Sequence, residues 1–449
     1  MIRNTNTILT QNIEKAECIL KEFMKDVLNQ EQEGKININA VEKSLGVMIT
    51  ALIKIALGMA GAMLSNIVLE NIDEYCSCGK KTVYTKRQAL TNILSMFGYI
   101  PLTRDELFCR RCHKGRGVID ELLGIHGQHR ITKGMVEIIT YIGQLMSFER
   151  ASAHIKKLLK IDVSGTQIQI ISEDIGKQVF EEQKNTAKKA YEKPEEAVPQ
   201  ELPLYRKEGR LYIFTDGLQV NTRVEDEDGS TWREMKLGLI FCDKDMIKRA
   251  DGSGIITKKE YVSYFGNVNE FKKFLFSAAA KAGYGKIKEV VLVGDGAQWI
   301  WNLCEELFPD AVQILDYYHL TENVNNYAKY IYPNDEVTHK IWSNKVLDAV
   351  MEGKVEDAMK IVEEKMVEKT PKGIGNLYTY MTNNQNRINY KAYKNKGYYI
   401  GSGAIEGANK TVIQHRMNQS DMRWGNNGGQ YIAALRSKFE SNQWTMLKP

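Results

Sequence analysis

Three acidic residues stand where chemistry concentrates in a chain of this kind. Asp216 follows the apolar run Leu211 to Phe214 and precedes Gly217, and Asp295 follows the run VVLVG and precedes Gly296. Each carboxylate closes a run of β-formers, and the glycine beside it lets the chain turn and a ligand approach closely. Glu406 lies in GSGAIEG, in the first turn of a helix whose apolar side is Ile405, Val412, Ile413 and Met417. Two Asp and one Glu brought together suit hard divalent cations. Two Mg²⁺ (or Mn²⁺) ions about 4 Å apart would activate a nucleophile on one side and steady a leaving oxygen on the other. Singly, each residue has a plain explanation, because Asp-Gly is a common turn and Glu at a helix start favours the dipole. Their joint placement is what points to chemistry. Asp316 ends the run VQIL and leads into Tyr317, Tyr318 and His319. Asp316 and His319 are therefore supporting candidates, the histidine either orienting a phosphate or metal-bound water or serving as a satisfied structural residue.

A second constellation is made of sulfur. Cys76 and Cys78 form a C-x-C pair, and Cys109 and Cys112 a C-x2-C pair one β-hairpin further on. Two such knuckles supply the four thiolates of one tetrahedral structural Zn²⁺. His113 follows Cys112 directly and is an alternative ligand; the plain alternative for the set is four incidental thiols like Cys18, Cys242 and Cys304. Between Cys76 and Lys133 there are eleven Lys and Arg against four acids, a local charge of +7. A basic surface on a zinc-stapled module suits phosphate contacts, with Lys80, Lys81, Arg110, Arg111, Lys114 and Arg116 as candidates; the alternative is a solvated surface. Downstream, residues 147–160, a turn at 161–165 and residues 166–179 read as a helix-turn-helix-like pair. Thr166, Gln167 and Gln169 then face base edges, although a generic helical hairpin has the same pattern.

The elements that must position these residues follow from periodicity. Residues 1–72 read as a helical region, with Ile13, Ala16, Ile19, Leu20 and Phe23 at helical spacing. The stretch from Gly46 to Leu69 is the nearest approach to a membrane span, but Lys54 interrupts it, and Thr50, Lys54, Gly58, Gly61 and Ser65 form a tight-packing seam. It reads as a buried or dimer-forming helix, with a membrane helix as the alternative. Residues 73–130 form the cysteine module, 131–185 a helical segment and 186–209 a linker containing YEKPEEAVPQ. Five β-rich runs follow, at 211–214, 235–241, 261–264, 290–293 and 312–315. The first three suggest an antiparallel meander and the last two flank a helix, hence a mixed sheet over 210–320. Residues 321–399 are helical in pattern without a strand, and a last helix starts near Ser402 within 400–449.

Composition sets the frame. The 449 residues call for several domains. Apolar residues at 43% and charged residues at 26% exclude a disordered or fibrous chain. Seven cysteines and a polar start from Met1 to Cys18 imply a reducing, cytoplasmic setting without a signal peptide. The net charge of +5 is an average, because removing the +7 of the cysteine module leaves −2 for the rest.

Four segments together resemble the motif series of bacterial insertion-sequence transposases of the DDE type, in the ISKra group related to the Mutator superfamily. They are FTDG around Asp216, VGDGAQWIWNLCEELFP around Asp295, LDYYHL, and GSGAIEGANKTVIQHRMNQSDMRW. The resemblance covers roughly residues 73 to 445, and the last motif is its most specific part. It implies a multidomain α/β protein with an RNase H-like mixed-sheet core, a metal-binding triad of Asp216, Asp295 and Glu406, and a helical insertion before the Glu-bearing helix. It further implies an enzyme that binds the terminal inverted repeats of an element as a homodimer or higher assembly. That enzyme hydrolyses phosphodiesters and joins the freed 3′-OH to target DNA, with no membrane involved. Relatives carry a Cys-x-x-His motif where this chain has Asp316 to His319, so the motif's role there does not transfer directly. In the basic-aromatic continuation, Arg416 and Arg423 suit phosphate clamping and Trp424 suits packing or base stacking. Two other functions fit the same residues: an RNase H-like structure-specific nuclease, and a non-catalytic DNA-binding regulator derived from a transposase.

Overall fold

The computed structural model describes residues 5–68, 75–76, 78–118, 120, 123–126, 129–225, 229–249, 254–367, 371, 375–401 and 403–444. Leu69 and Ser402, which bound two of the segments read from the sequence, lie outside the described residues. The chain forms two compact units, one ending at Ser172 and one spanning Glu173–Trp444.

The first unit opens with two long helices, α1 (Thr5–Gln32) and α2 (Ile38–Val68), which pack on each other as an antiparallel hairpin. Gln30 Nε2 and Asp26 both bond the Ser44 hydroxyl near the turn. Among the described residues, one helix over Ile38–Gly61 is long and apolar enough to cross a membrane, with a mean hydropathy of 1.8. Its glycine seam is used within the chain: a Cβ on Gly58 or Gly61 would meet Pro101 O or the Leu102 side chain. Strands β1 (Val83–Ser95) and β2 (Gly98–Cys109) form a long antiparallel hairpin, with Gly98 at φ +95 where the chain reverses. With β3 (Lys114–Gly117), β4 (Ile125–His126) and β5 (Ile131–Thr132) they make a sheet in the order β3-β2-β1-β5-β4. Ile93, Leu102 and Ile125 form its small core. Arg104, counted above among the basic residues, is buried in an ion pair with Asp120. Three helices follow: α3 (Lys133–Leu145), α4 (Phe148–Leu159) and α5 (Gly165–Glu192). Lys160 adopts a left-handed conformation that ends α4, and the Ser164 hydroxyl accepts from Gln167 N at 3.1 Å to start α5.

In the second unit, α5 continues to Glu192, so residues 186–192, expected as linker, are helical. They carry no proline; the first stands at Pro194, where the next helix begins. Two single-turn helices, α6 (Pro194–Ala197) and α7 (Leu204–Lys207), lead into β6 (Arg210–Asn221) and β7 (Trp232–Cys242). A small hairpin of β8 (Met246–Lys248) and β9 (Gly254–Ile256) precedes β10 (Glu260–Phe265). Helix α8 (Val268–Ala282), β11 (Glu289–Gly294), α9 (Gln298–Leu307) and β12 (Val312–Leu315) follow. The sheet order is β10-β7-β6-β11-β12, with an antiparallel meander of β6, β7 and β10 and parallel β11 and β12, the mixed sheet that the β-rich runs suggest. Alternation along β7 separates its two covers. A Cβ on Gly238 would touch Leu275 and Phe271 of α8. On the other face Ser263, paired with Leu237, bonds Ser437 at 2.9 Å.

The remaining helices are α10 (Tyr317–Ile331), α11 (Glu336–Met351), α12 (Val355–Glu363), α13 (Leu377–Asn383) and α14 (Tyr390–Asn395). Next come α15 (Gly403–Ala408), a π-helical turn at Asn409–Gln414, α16 (His415–Met417) and α17 (Asn426–Glu440), which carries Ser437. Among the described residues no strand interrupts α10 to α14, as the polar helical pattern led us to expect.

Helix α5 crosses α17 where Gly176 leaves no room for a side chain, since a Cβ there would lie 2.6 Å from the Tyr431 carbonyl oxygen. Gly176→Val should lower stability by roughly 1–3 kcal/mol. Gly46→Ala, with open space around the added Cβ, should raise it by about 0.5–1 kcal/mol. Denaturant unfolding of the two variants should shift in opposite directions; equal shifts would show that the α5–α17 approach is not tight.

Candidate active site and cysteine centre

Strand register builds the site. β6 and β11 pair in parallel with Phe214 opposite Val293, and β11 and β12 pair with Val293 opposite Ile314. Two residues further along each strand, on the same face, stand Asp216, Asp295 and Asp316. The three aspartates form one row across three adjacent strands. Asp216 does not end its strand as expected: β6 runs on to Asn221 because β7 pairs with it along its whole length, including Gly217 opposite Lys236. Asp295 follows the last residue of β11, and its Oδ1 accepts from Ala297 N at 2.8 Å in a tight turn. Gly296 in that turn has φ +99 and faces the Tyr380 ring, where a Cβ would come within 2.7 Å of it. The Tyr380 hydroxyl donates to the Asp295 carbonyl oxygen at 2.7 Å, so the helical segment after β12 anchors this turn.

The three carboxylates have different occupations. Asp316 is buried and caps α10, accepting from Tyr318 N at 3.2 Å and His319 N at 2.9 Å. Its Oδ2 also lies 2.5 Å from His319 Nδ1. This hydrogen bond, reinforced by the charges of Asp316, Asp295 and Asp216, pushes the imidazole up to about 9. Asp216 is held by Gly217 N at 2.7 Å and by Asn409 Nδ2 at 2.5 Å. Burial, and then the negative charge of Asp295, raises its carboxyl above the usual carboxylate range.

Glu406 lies in the first turn of α15 and is half-buried. Asn409, three residues on, is the link from that helix to Asp216, and the sequence reading did not single it out. Asn409 stands in regular helical phase, one turn after Ile405, but nothing in the sequence marks a polar residue on that side as the partner of a carboxylate on a distant strand. Asn409 Oδ1 is buried without a hydrogen-bond partner. A partnerless buried carbonyl oxygen beside a carboxyl destabilised by a neighbouring negative charge is what a divalent cation would relieve, so the donor set fits a hard metal. Among the described residues no three carboxylates draw within 4.8 Å of one another.

The cysteine centre is closed. The Sγ atoms of Cys76, Cys78, Cys109 and Cys112 all lie within 4.8 Å of one another, and this set could hold a zinc ion. Cys78 and Cys109 sulfurs stand 3.7 Å apart, close to the about 3.8 Å that tetrahedral coordination at 2.3 Å requires. The first knuckle is shaped by Cys76 N donating to Lys80 O and by Gly79 at φ +78, the second by the end of β2. A hydrogen bond from Cys112, helped by the backbone at Lys80, lowers the Cys78 thiol, and sharing with Cys78 pushes Cys112 up to about 12. His113 is not in the set; it packs edge-on against Phe108.

The candidate DNA contacts divide. Lys80, Lys81, Arg110, Arg111, Lys114 and Arg116 are exposed, as is Thr166, and Gln167 and Gln169 are half-buried. Arg423 is exposed. Arg416 and Trp424 are not surface groups: Arg416 is fully buried, with its guanidinium 4.8 Å over the Trp424 ring, and the indole donates to Met417 O at 3.0 Å. Burial, then the charge of Arg436, pulls Arg416 down to about 9. Phosphate clamping by Arg416 and base stacking by Trp424 are therefore replaced by packing, because both close the turn after the Glu406 helix.

One chain thus combines a mixed sheet bearing a row of aspartates at one end with a four-cysteine module. The chain belongs to the Uncharacterised protein family (UPF0236), which matches residues 37–445. No curated protein matches it. Among solved structures it is similar to the Drosophila P element transposase strand transfer complex, at 10% identity over 70% of this chain and 92% of that one, with a TM-score of 0.36.

Two outcomes follow from this geometry. Purified protein should carry about one zinc per chain, and Cys109→Ser should lose it; elemental analysis of folded, unchelated protein without zinc would rule the centre out. His319 is raised to about 9 in the folded state from about 6.5 when unfolded. Its contribution is therefore present below pH 6.5 and lost as pH rises through about 9. In chelator, melting temperature should fall between pH 7 and pH 10 more steeply for wild type than for His319→Gln, and parallel curves would contradict the pairing with Asp316.

Proposed function

We propose that this protein is a DNA transposase of the DDE type, with an RNase H-like core of the kind that the ISKra group resemblance implies. It cuts a phosphodiester at the end of a mobile element and joins the freed 3′-OH to target DNA. The observation that carries this reading is the row of Asp216 and Asp295 on adjacent strands, with the helix of Glu406 tied to Asp216 through Asn409. Asp216, Asp295 and Glu406 would hold two Mg²⁺ or Mn²⁺ ions, which when bound supply charge neutralisation and activation of the attacking oxygen.

The chain's own residues prepare that site. Asn409 fixes one Asp216 oxygen and Gly217 N the other, which sets the orientation of the carboxylate. Ala297 N and Tyr380 fix the Asp295 turn. His319, protonated at neutral pH and held by Asp316, places a cationic donor beside the carboxylates, where it suits a phosphate oxygen of the bound strand. Asp316 acts through His319 and is a positioning residue. The zinc-ribbon-like module offers Lys80, Lys81, Arg110, Arg111, Lys114 and Arg116 to phosphates of the terminal inverted repeats. The α4–α5 pair, read as helix-turn-helix-like, offers Thr166, Gln167 and Gln169 to base edges.

Asp216→Ala, Asp295→Ala and Glu406→Ala should each lower Mg²⁺-dependent cleavage of end DNA by on the order of 10³-fold and leave DNA binding intact. Cleavage at wild-type rate in one variant removes that residue from the site. Mapped products separate the readings: cuts without joined strands would identify a structure-specific nuclease, and binding without cutting a regulator. Alanine at Lys80, Lys81, Arg110 and Arg111 together should flatten the log–log salt dependence of binding by up to about 0.9 per lost phosphate contact. An unchanged slope would move DNA binding elsewhere.

A further inference from the structure

Among the described residues, the helical hairpin α1–α2 carries an exposed apolar face. On α1 the side facing α2 is made by residues such as Ile19, Phe23 and Val27, which are half-buried. Each is followed by an exposed apolar residue, Leu20, Met24 and Leu28. On α2 the same step recurs, with half-buried Ser44 and Met48 followed by exposed Leu45 and Ile49. One residue along a helix is a rotation of about 100°, so each helix has a second apolar seam roughly a quarter-turn from the first. Because the helices are antiparallel, equal rotations in the same chain sense point to the same side of the hairpin. Leu20, Met24, Leu28, Leu45 and Ile49 therefore make one face, each between 37% and 57% exposed.

We propose that this face binds the same face of a second copy of the chain, giving a four-helix bundle and a dimer that exists without DNA. Two helices with an open second seam are half of such a bundle, and an identical hairpin supplies a self-complementary other half about a two-fold axis. The scale fits: together with exposed Ile13, Ile38 and Met63, the face offers several hundred Å², on the order of the ~800 Å² that each partner gives to a standard interface. Charge disfavours a lipid surface, because α1 carries three Lys against five acids, whereas helices that lie on membranes are rich in Lys and Arg on the polar side. Spanning is opposed by the docking of Gly58 and Gly61 of α2 against β2.

The test is the mass of the full-length, zinc-loaded protein in solution at micromolar concentration, free of DNA. Wild type should be dimeric. Leu20→Glu with Met24→Glu, and separately Leu45→Glu, should each raise the dimer dissociation constant by about 100-fold or more. Unchanged zinc content and helical ellipticity would exclude misfolding. Monomeric wild type, or dimers unaffected by either variant, would overturn the proposal. So would a monomer that co-sediments with phosphatidylcholine–phosphatidylglycerol vesicles and loses them in the variants. The measurement involves no nucleic acid and no cleavage, so its outcome is independent of the transposase reading.

Discussion

The parallel register of β6, β11 and β12 is the constraint on which the candidate active site depends. It sets three aspartates side by side, and like charges in a row oppose one another. The protein offsets this by giving each carboxylate different partners. Asp316 is spent on two backbone amides and an imidazolium. Asp295 accepts one amide in its turn, and Asp216 accepts one amide and one side-chain amide. Asp216 and Asp295 thus have fewer partners than Asp316, and both are half-buried. The two centres of the molecule thereby differ in kind. The four sulfurs lie within 4.8 Å of one another, whereas among the described residues no three carboxylates do.

The helix of Glu406 needs its own support, and two of the residues that give it, Arg416 and Trp424, are ones the motif reading offers to DNA. The π turn from Asn409 to Gln414 leaves backbone carbonyls that regular α-helical bonding does not use. Arg436 of α17 reaches two of them, donating to Val412 O at 3.0 Å and to Thr411 O. Arg416 then stacks on Trp424, and the segment after it joins the edge of β6, with Trp424 N donating to Asn221 O and Arg223 N donating to Trp424 O. Contacts at the end of β6, at two buried guanidiniums and at the turn holding Asn409 against Asp216 thus succeed one another along this segment. Burying Arg416 carries an energetic cost, visible in its lowered pKa. That cost is spent on holding a helix.

Much of this was legible in the sequence where local chemistry dictates the outcome. Apolar β-former runs marked all five strands of the second sheet, and cysteine spacing marked a cage that needs only two hairpin ends to meet. The misses fall where a long-range partner decides. Asp216 reads as a strand terminus because Gly217 follows it, yet β7 pairs straight through the glycine and carries the strand five residues further. Residues 186–192 read as linker because two prolines follow them, yet they are the last turns of α5. Asn409 carries no local sign of its role, because its partner Asp216 lies on a strand far away in the chain. Arg416 was misassigned because an arginine beside an aromatic in a basic segment has the same sequence signature whether it points outward or inward.

The charge of the cysteine module can be argued one step further. Four thiolates around one Zn²⁺ leave about −2 at the centre, and cations close to such a centre stabilise it whether or not anything else binds. Lys80 and Lys81 adjoin the first knuckle, and Arg110, Arg111 and Lys114 the second. Two of these charges would balance the metal centre. All five, with Arg116, are exposed, while the one deeply buried arginine of the module, Arg104, has its own carboxylate partner in Asp120. The surface cations therefore exceed what the metal centre requires, and the surplus lies on turns that a polyanion can reach. Structural need accounts for part of the +7, and the surplus is the charge that the proposed phosphate contacts would use.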